Sequence, residues 1–174
     1  MIRAAGGGAA APKYAHVERE RRWLVDPARR PALAGLPPVL IDDRYFTGTR
    51  LRLRRMTDAS GACALKLTKK YDAADPLARP IVTAYLTEAE YAVFAALPAA
   101  ILVKRRYALV DSGVRFSLDV FGGGLAPLEL CEIEWADDAG LRALQPPDWA
   151  VREVSSDPRY QGSALAMNGA PQER

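Results

Sequence analysis

Histidine and cysteine are scarce: His16 is the only histidine, and Cys63 and Cys131 are the only cysteines. A zinc centre draws on those two residue types, so the chain offers no evident set of ligands for one. Two thiols do not make a disulfide framework either, and both sit in apolar, strand-like surroundings that suggest buried free thiols. His16 lies close to Glu18, but a solitary histidine reads first as a packed or exposed side chain. No apolar run approaches the ~20 residues that a membrane helix needs. The opening Met1-Ile2-Arg3-Ala4-Ala5-Gly6-Gly7-Gly8 lacks a continuous apolar segment of signal-peptide type, so the expectation is a soluble protein of the cytoplasm. A strong charge of one sign is also missing, because 24 basic and 21 acidic residues leave a formal +3. That balance favours anionic partners only mildly, and the placement of the charges matters more than their sum.

What is present is enough apolar sequence, 49% of 174 residues, for one globular domain with a real core. Residues 1–15 are rich in Gly and Ala, follow neither structural period and read as a mobile leader, with a single domain over 16–174. Residues 26–38 carry four prolines and read as a loop. A strand is expected from Val39 to Phe46. Two more, around Arg50–Arg54 and Ala64–Thr68, are joined by a turn at Asp58-Ala59-Ser60-Gly61. A strand over Ile81–Leu86 leads to Thr87, a good N-cap, and to an amphipathic helix over Glu88–Leu97 whose Tyr91, Phe94, Ala95 and Leu97 face the sheet. Strands over Ile101–Leu109, Arg115–Phe121 and Glu129–Trp135 complete the pattern.

The charges alternate within these strands. Side chains point to opposite faces with a period of two, so Glu18, Glu20 and Arg22 share one face of the first strand. In Arg50-Leu51-Arg52-Leu53-Arg54 one face is cationic and the other apolar. In the next strand Lys66 and Thr68 face the polar side, whereas Lys69 points away. Lys104 and Arg106 share a face, the following strand offers Asp119, and Glu132 and Glu134 repeat the carboxylate pair opposite Cys131 and Ile133. If the sheet closes, the first and last strands meet and the four glutamates converge. Clustered carboxylate oxygens suit a hard divalent cation such as Mg²⁺ or Mn²⁺. Basic residues opposite them suit a polyphosphate, whose non-bridging oxygens need cations. Acids interleaved with the basic strands, and no evident aromatic platform, argue against nucleic acid.

These elements together resemble the CYTH-domain proteins of the triphosphate tunnel metalloenzyme family. Glu18-x-Glu20-x-Arg22 resembles the family's N-terminal Glu-x-Glu-x-Lys strand. Leu51-Arg52-Leu53-Arg54 and Lys104-x-Arg106 are similar to its basic strands, Leu118-Asp119-Val120-Phe121 to its acidic strand, and Glu132-Ile133-Glu134 to its late carboxylate pair. The tail, Glu153 to Tyr160 followed by Ser163-Ala164-Leu165-Ala166, is similar to the ending of bacterial members.

The resemblance implies an α+β fold: a closed eight-stranded antiparallel β-barrel, a tunnel with a polar interior and helices packed outside. It further implies Glu18, Glu20, Asp119, Glu132 and Glu134 as the acidic, metal-holding set, and Arg52, Arg54, Lys66, Lys104 and Arg106 as phosphate ligands. Arg22 and Glu20 would be the catalytic residues, Arg22 standing where the family places a lysine that activates or orients water. Arginine stays protonated, so a role that needs a neutral amine would be lost while phosphate binding survives. Ile81 and Thr83 stand where hydrolase members carry another Glu-x-Glu pair. The expected activity is divalent-metal-dependent hydrolysis of inorganic triphosphate or a related nucleoside or thiamine triphosphate. The alternatives are a noncatalytic polyphosphate- or nucleotide-binding module and an adenylate cyclase. The assembly would be a monomer or homodimer.

Overall fold

A computed structural model describes residues 12–172, so most of the leader expected over 1–15 lies outside the described residues. Nine strands form one antiparallel sheet: β1 (His16–Val25), β2 (Val39–Tyr45), β3 (Leu51–Thr57), β4 (Cys63–Lys70), β5 (Ala78–Tyr85), β6 (Ala100–Asp111), β7 (Val114–Phe121), β8 (Glu129–Glu134) and β9 (Ala150–Glu153). Their order is β5-β4-β3-β2-β6-β7-β8-β1-β9, and a further β5–β1 pairing closes the first eight into a barrel, with β9 outside it. The closed eight-stranded barrel is the architecture expected from the sequence.

Closure depends on β1 changing partners along its length. His16 to Arg19 pair with Ala78 to Ile81 of β5, whereas Trp23 to Val25 pair with β9. Throughout its middle and end β1 also pairs with β8, with Glu20 opposite Glu134 and Arg22 opposite Glu132. A strand that sheds one neighbour for another lets the sheet curl shut without leaving β1 an unpaired edge.

The main apolar core lies on the outer face of the barrel. Trp23, Tyr107, Leu109, Phe116, Leu118, Cys131 and Ile133 point outward and are covered by Trp149 and by Leu141 of α2 (Asp138–Ala143). On the opposite side, α1 (Glu88–Ala95) sets Tyr91 on Phe46, Leu53 and Leu65. Thr87 caps α1 in a capping box with Glu90. The helix is shorter than expected, and Leu97 lies beyond it, half exposed. A third cluster joins Leu102, Phe121 and Leu130 of the barrel to Tyr160, in a 3-10 turn (Pro158–Tyr160), and to Leu165 of α3 (Gly162–Asn168). Cys131 is buried, but Cys63 is exposed, contrary to expectation, because it begins β4 next to the 58–61 turn.

The interior is charged, and two aspartates with no solvent exposure anchor it. Asp43 on β2 stands directly opposite Arg54 on β3, and the guanidinium donates to both carboxylate oxygens at 2.6 Å. Asp119 on β7 accepts from Arg106 at 2.7 and 2.6 Å and also from Lys104. Burial alone would raise the Asp43 carboxyl, but Arg54 and then Arg52 and Lys104 bring it below its ordinary value.

Two predictions follow from this packing. Asp43→Asn strands a buried guanidinium and costs ~3–5 kcal/mol in denaturant unfolding at neutral pH. Because the folded Asp43 carboxyl lies below its ordinary 3.8, its contribution is complete above that value and is lost as pH falls through the folded value. The Asn variant therefore shows a shallower acid limb than wild type. Gly162→Ala places a Cβ 2.0 Å from the Tyr45 hydroxyl oxygen and 2.9 Å from Cζ. It lowers the melting temperature through overpacking of ~1–3 kcal/mol, and Tyr45→Phe in the same chain restores part of the loss.

Candidate tunnel site

The barrel encloses a cavity of about 420 Å³. Its lining includes every expected site residue except Asp119: Glu18, Glu20, Arg22, Arg52, Arg54, Lys66, Lys104, Arg106, Glu132 and Glu134. The alternation in each strand makes this so, since the polar face of β1, β3, β4, β6 and β8 is the inner one. Asp119 points inward as well but has no exposed surface and is consumed by Lys104 and Arg106. That placement makes it a counter-ion that orients two cations.

The lining groups neutralise one another in chains. Arg22 reaches Glu20, its Nε lies 2.8 Å from Glu132, and its Nη1 donates to the Tyr160 carbonyl at 2.9 Å. Arg106 links Asp119 to Glu132, and Lys70 holds Glu18. Glu132, which burial would raise, is instead held well below the ordinary carboxylate range by Lys104, Arg22 and Arg106. Glu20 goes the other way: burial raises its carboxyl, and Glu132 and Glu18 add to the shift against the opposing pull of Arg22. Burial likewise depresses the Lys104 ammonium in spite of Asp119. The Tyr45 hydroxyl is pushed up to about 12 by burial and by Asp43.

The donor chemistry of Glu18, Glu20, Glu132 and Glu134 fits a hard divalent cation. Glu20 stands directly opposite Glu134 on the paired strands, and like charges so placed repel. The Glu20 carboxyl is raised chiefly by burial, and Glu132 and Glu18 add to the shift. Their arrangement is not a ready cage: among the described residues no three or more His, Cys, Asp or Glu side chains are grouped to hold a metal. Arg22 and Lys70 occupy the carboxylates, and Glu134 lies toward solvent, 3.8 Å from His16.

Several lining residues were not expected. Lys70 follows Lys66 and Thr68 at the same parity, and Arg79 precedes Ile81 and Thr83 on β5. Lys70 falls inside because β4 runs two residues beyond its expected end, and Arg79 because β5 begins before Pro80. Tyr45, Ser155 and Gln161 also face the cavity. Ile81 and Thr83 line it as well and bring no carboxylate to that wall, and the Thr83 hydroxyl lies 3.0 Å from the Thr68 hydroxyl.

No family model matches the chain. It is similar to an inorganic triphosphatase of Nitrosomonas europaea, 42% identical over 66 residues that make up 37% of this chain and 44% of that protein. It is also similar to an inorganic triphosphatase of Acetivibrio thermocellus, 37% identical over 68 residues, 39% of this chain and 42% of the other. The matches thus span less than half the length of these relatives. Over a longer stretch, 88% of this chain and all of the other, it resembles a crystal structure described as an inorganic triphosphatase, with a TM-score of 0.59 and 28% identity. A putative adenylate cyclase from Bacillus halodurans, 13% identical over 74% of this chain and 86% of that one with a TM-score of 0.54, shares the fold. Tunnel geometry and similarity thus point the same way, toward relatives named for acting on inorganic triphosphate.

Proposed function

We propose that this chain is a member of the CYTH, or triphosphate tunnel, family and hydrolyses inorganic triphosphate or a closely related triphosphate inside the barrel. The observation that carries the reading is the convergence of Arg52, Arg54, Lys104 and Arg106 with Glu18, Glu20 and Glu132 on one enclosed cavity. A triphosphate carries several negative charges, and hydrolysis spreads more over the transferred group and its leaving oxygen. Fixed guanidinium and ammonium groups recessed within the barrel stabilise that charge with little need to reorient.

The roles follow from the partners. Asp43 fixes Arg54, and Asp119 fixes Lys104 and Arg106, so three cations are presented in set directions. Glu18, Glu20, Glu132 and Glu134 would hold Mg²⁺ or Mn²⁺, which would supply polarisation of the phosphate oxygens and further charge neutralisation. Arg22, shared between Glu20 and Glu132, remains charged and cannot serve as a base. It orients phosphate or water, and Glu20, which Arg22 contacts, stands beside it at the reacting end.

A noncatalytic binding module is the second reading, favoured by Ile81 and Thr83 in the cavity wall and by Arg22 in place of lysine. Tight triphosphate binding without release of phosphate would select it.

Phosphate release from inorganic triphosphate with Mg²⁺ or Mn²⁺ tests the proposal. Arg52 suits substitution better than Arg54, whose loss would strand buried Asp43. Wild type turns over, while Glu18→Gln and Arg52→Gln each fall by about 100-fold, the scale of removing one preorganised charge-stabilising group. Equal rates in all three proteins would remove the tunnel from the reaction.

A further inference from the structure

Along one edge β1 passes from β5 to β9 between Arg19 and Trp23, and Arg22 stands in that gap. Its backbone is completed there by the segment that follows β9. The Arg22 N–H donates to Ser155 Oγ at 2.8 Å, and the Arg22 carbonyl accepts from the Val154 N–H at 2.8 Å. The Ser155 hydroxyl is oriented in its turn. Its proton goes to Glu153 Oε1 at 2.7 Å, closer than the Arg22 carbonyl at 3.3 Å, and Arg21 holds both oxygens of that carboxylate, at 2.9 and 2.8 Å. With the proton so engaged, a lone pair of the hydroxyl faces the Arg22 N–H.

The same segment holds the other end of the side chain. The Tyr160 carbonyl accepts from Arg22 Nη1 at 2.9 Å. Tyr160 is buried against Leu102, Phe121 and Leu130, which fixes where that carbonyl points. The other two guanidinium nitrogens face the cavity. Nη2 meets Glu20, and Nε lies 2.8 Å from Glu132 without a directed hydrogen bond among the described residues. A buried donor in that state bears its desolvation cost without full compensation, so an acceptor better aligned than Glu132 is favoured. An arginine tied at both backbone and tip has also lost most of its rotamer freedom before any guest arrives.

We propose that Ser155 is a positioning residue for Arg22, and that Ser155 and the Tyr160 carbonyl form a strap that keeps this arginine at its station while Nε and Nη2 pass from the glutamates to a phosphate oxygen. The proposal rests on the tunnel being a triphosphate site for what Arg22 turns to, whereas the strap itself belongs to the chain with or without turnover. Lysine at this position could not use it, because an ammonium has no planar fork to face a carbonyl and the cavity at once.

Nitrogen-15 NMR of the full chain reads Arg22 directly, its Nε–H signal being assigned by its disappearance in Arg22→Lys. Wild type gives a resolved signal that moves when inorganic triphosphate is added with Mg²⁺. Ser155→Ala broadens that signal, and Ser155→Thr, which keeps the hydroxyl, restores it. Phosphate release follows the same order: Ser155→Ala lowers kcat about 10-fold, the scale of one lost hydrogen bond, with KM changed by less than about 2-fold. In an Arg22→Gln background Ser155→Ala costs no more than about 2-fold, since the residue it positions is gone. If Ser155→Ala melts early, that comparison decides, because both backgrounds share the loss of stability. A wild-type signal and triphosphate shift in Ser155→Ala would overturn the strap, as would an equal fall in kcat in both backgrounds. A wild type that releases no phosphate while its Arg22 signal still depends on Ser155 would overturn the proposed function and leave the strap standing.

Discussion

Charge enclosed by a barrel has to be neutralised from within, and in this protein two aspartates without solvent exposure set how that is done. Asp43 grips Arg54 and Asp119 grips Lys104 and Arg106, on strands that lie side by side in the order β3-β2-β6-β7. A carboxylate taken wholly out of water is tolerated only with paired charges and several hydrogen bonds, which is what each aspartate has. The outer face then carries the apolar work of folding, through Trp23, Leu118, Cys131 and Ile133 under α2 and through Tyr91 of α1 over Leu53 and Leu65. Most of the hydrophobic burial lies outside the sheet, and the charges lie inside it beside a smaller apolar cluster of Leu102, Phe121, Leu130 and Leu165. This leaves the interior available for an anionic guest.

The ion pairs also define how a guest can enter. Arg22 bridges Glu20 and Glu132, Arg106 bridges Asp119 and Glu132, and Lys70 holds Glu18. These contacts cancel charge that a polyphosphate and a divalent cation would otherwise compensate. A polyanion offers the arginines more charge than a glutamate does, and a cation offers the freed glutamates the same in return. The two would therefore favour each other's binding, since each removes the partner that the other must displace.

The lining was legible in the sequence wherever a strand alternates strictly. Glu18-x-Glu20-x-Arg22, Arg52-x-Arg54, Lys104-x-Arg106 and Glu132-x-Glu134 each fix an inner face, and all of them line the cavity. Adjacent like residues defeat the same logic. Asp42-Asp43 gives no parity by itself, and Asp43 is identified only by its register opposite Arg54 and Leu102. Lys70 would have been found by extending the parity of Lys66 and Thr68 by one step. Arg79 was hidden because the strand was expected to begin only at Ile81, whereas Pro80 lies within β5 where that strand pairs with β1. The short elements α2, β9 and α3, of six, four and seven residues, have little periodicity of their own and are held by packing on the barrel. Cys63 shows the converse error, an apolar neighbourhood in sequence that turns out to be the exposed start of a strand.

On the proposed function, the tunnel's internal ion pairs are placeholders for a polyanion and its metal. The most direct measurement is a crystal structure with inorganic triphosphate and Mn²⁺, in which the metal is located by its anomalous scattering. The claim predicts phosphates against Arg52, Arg54, Lys104 and Arg106, manganese against Glu18, Glu20 and Glu132, and Arg22 drawn away from both glutamates it now bridges. Triphosphate and manganese bound only outside the barrel, with the internal pairs intact, would contradict it.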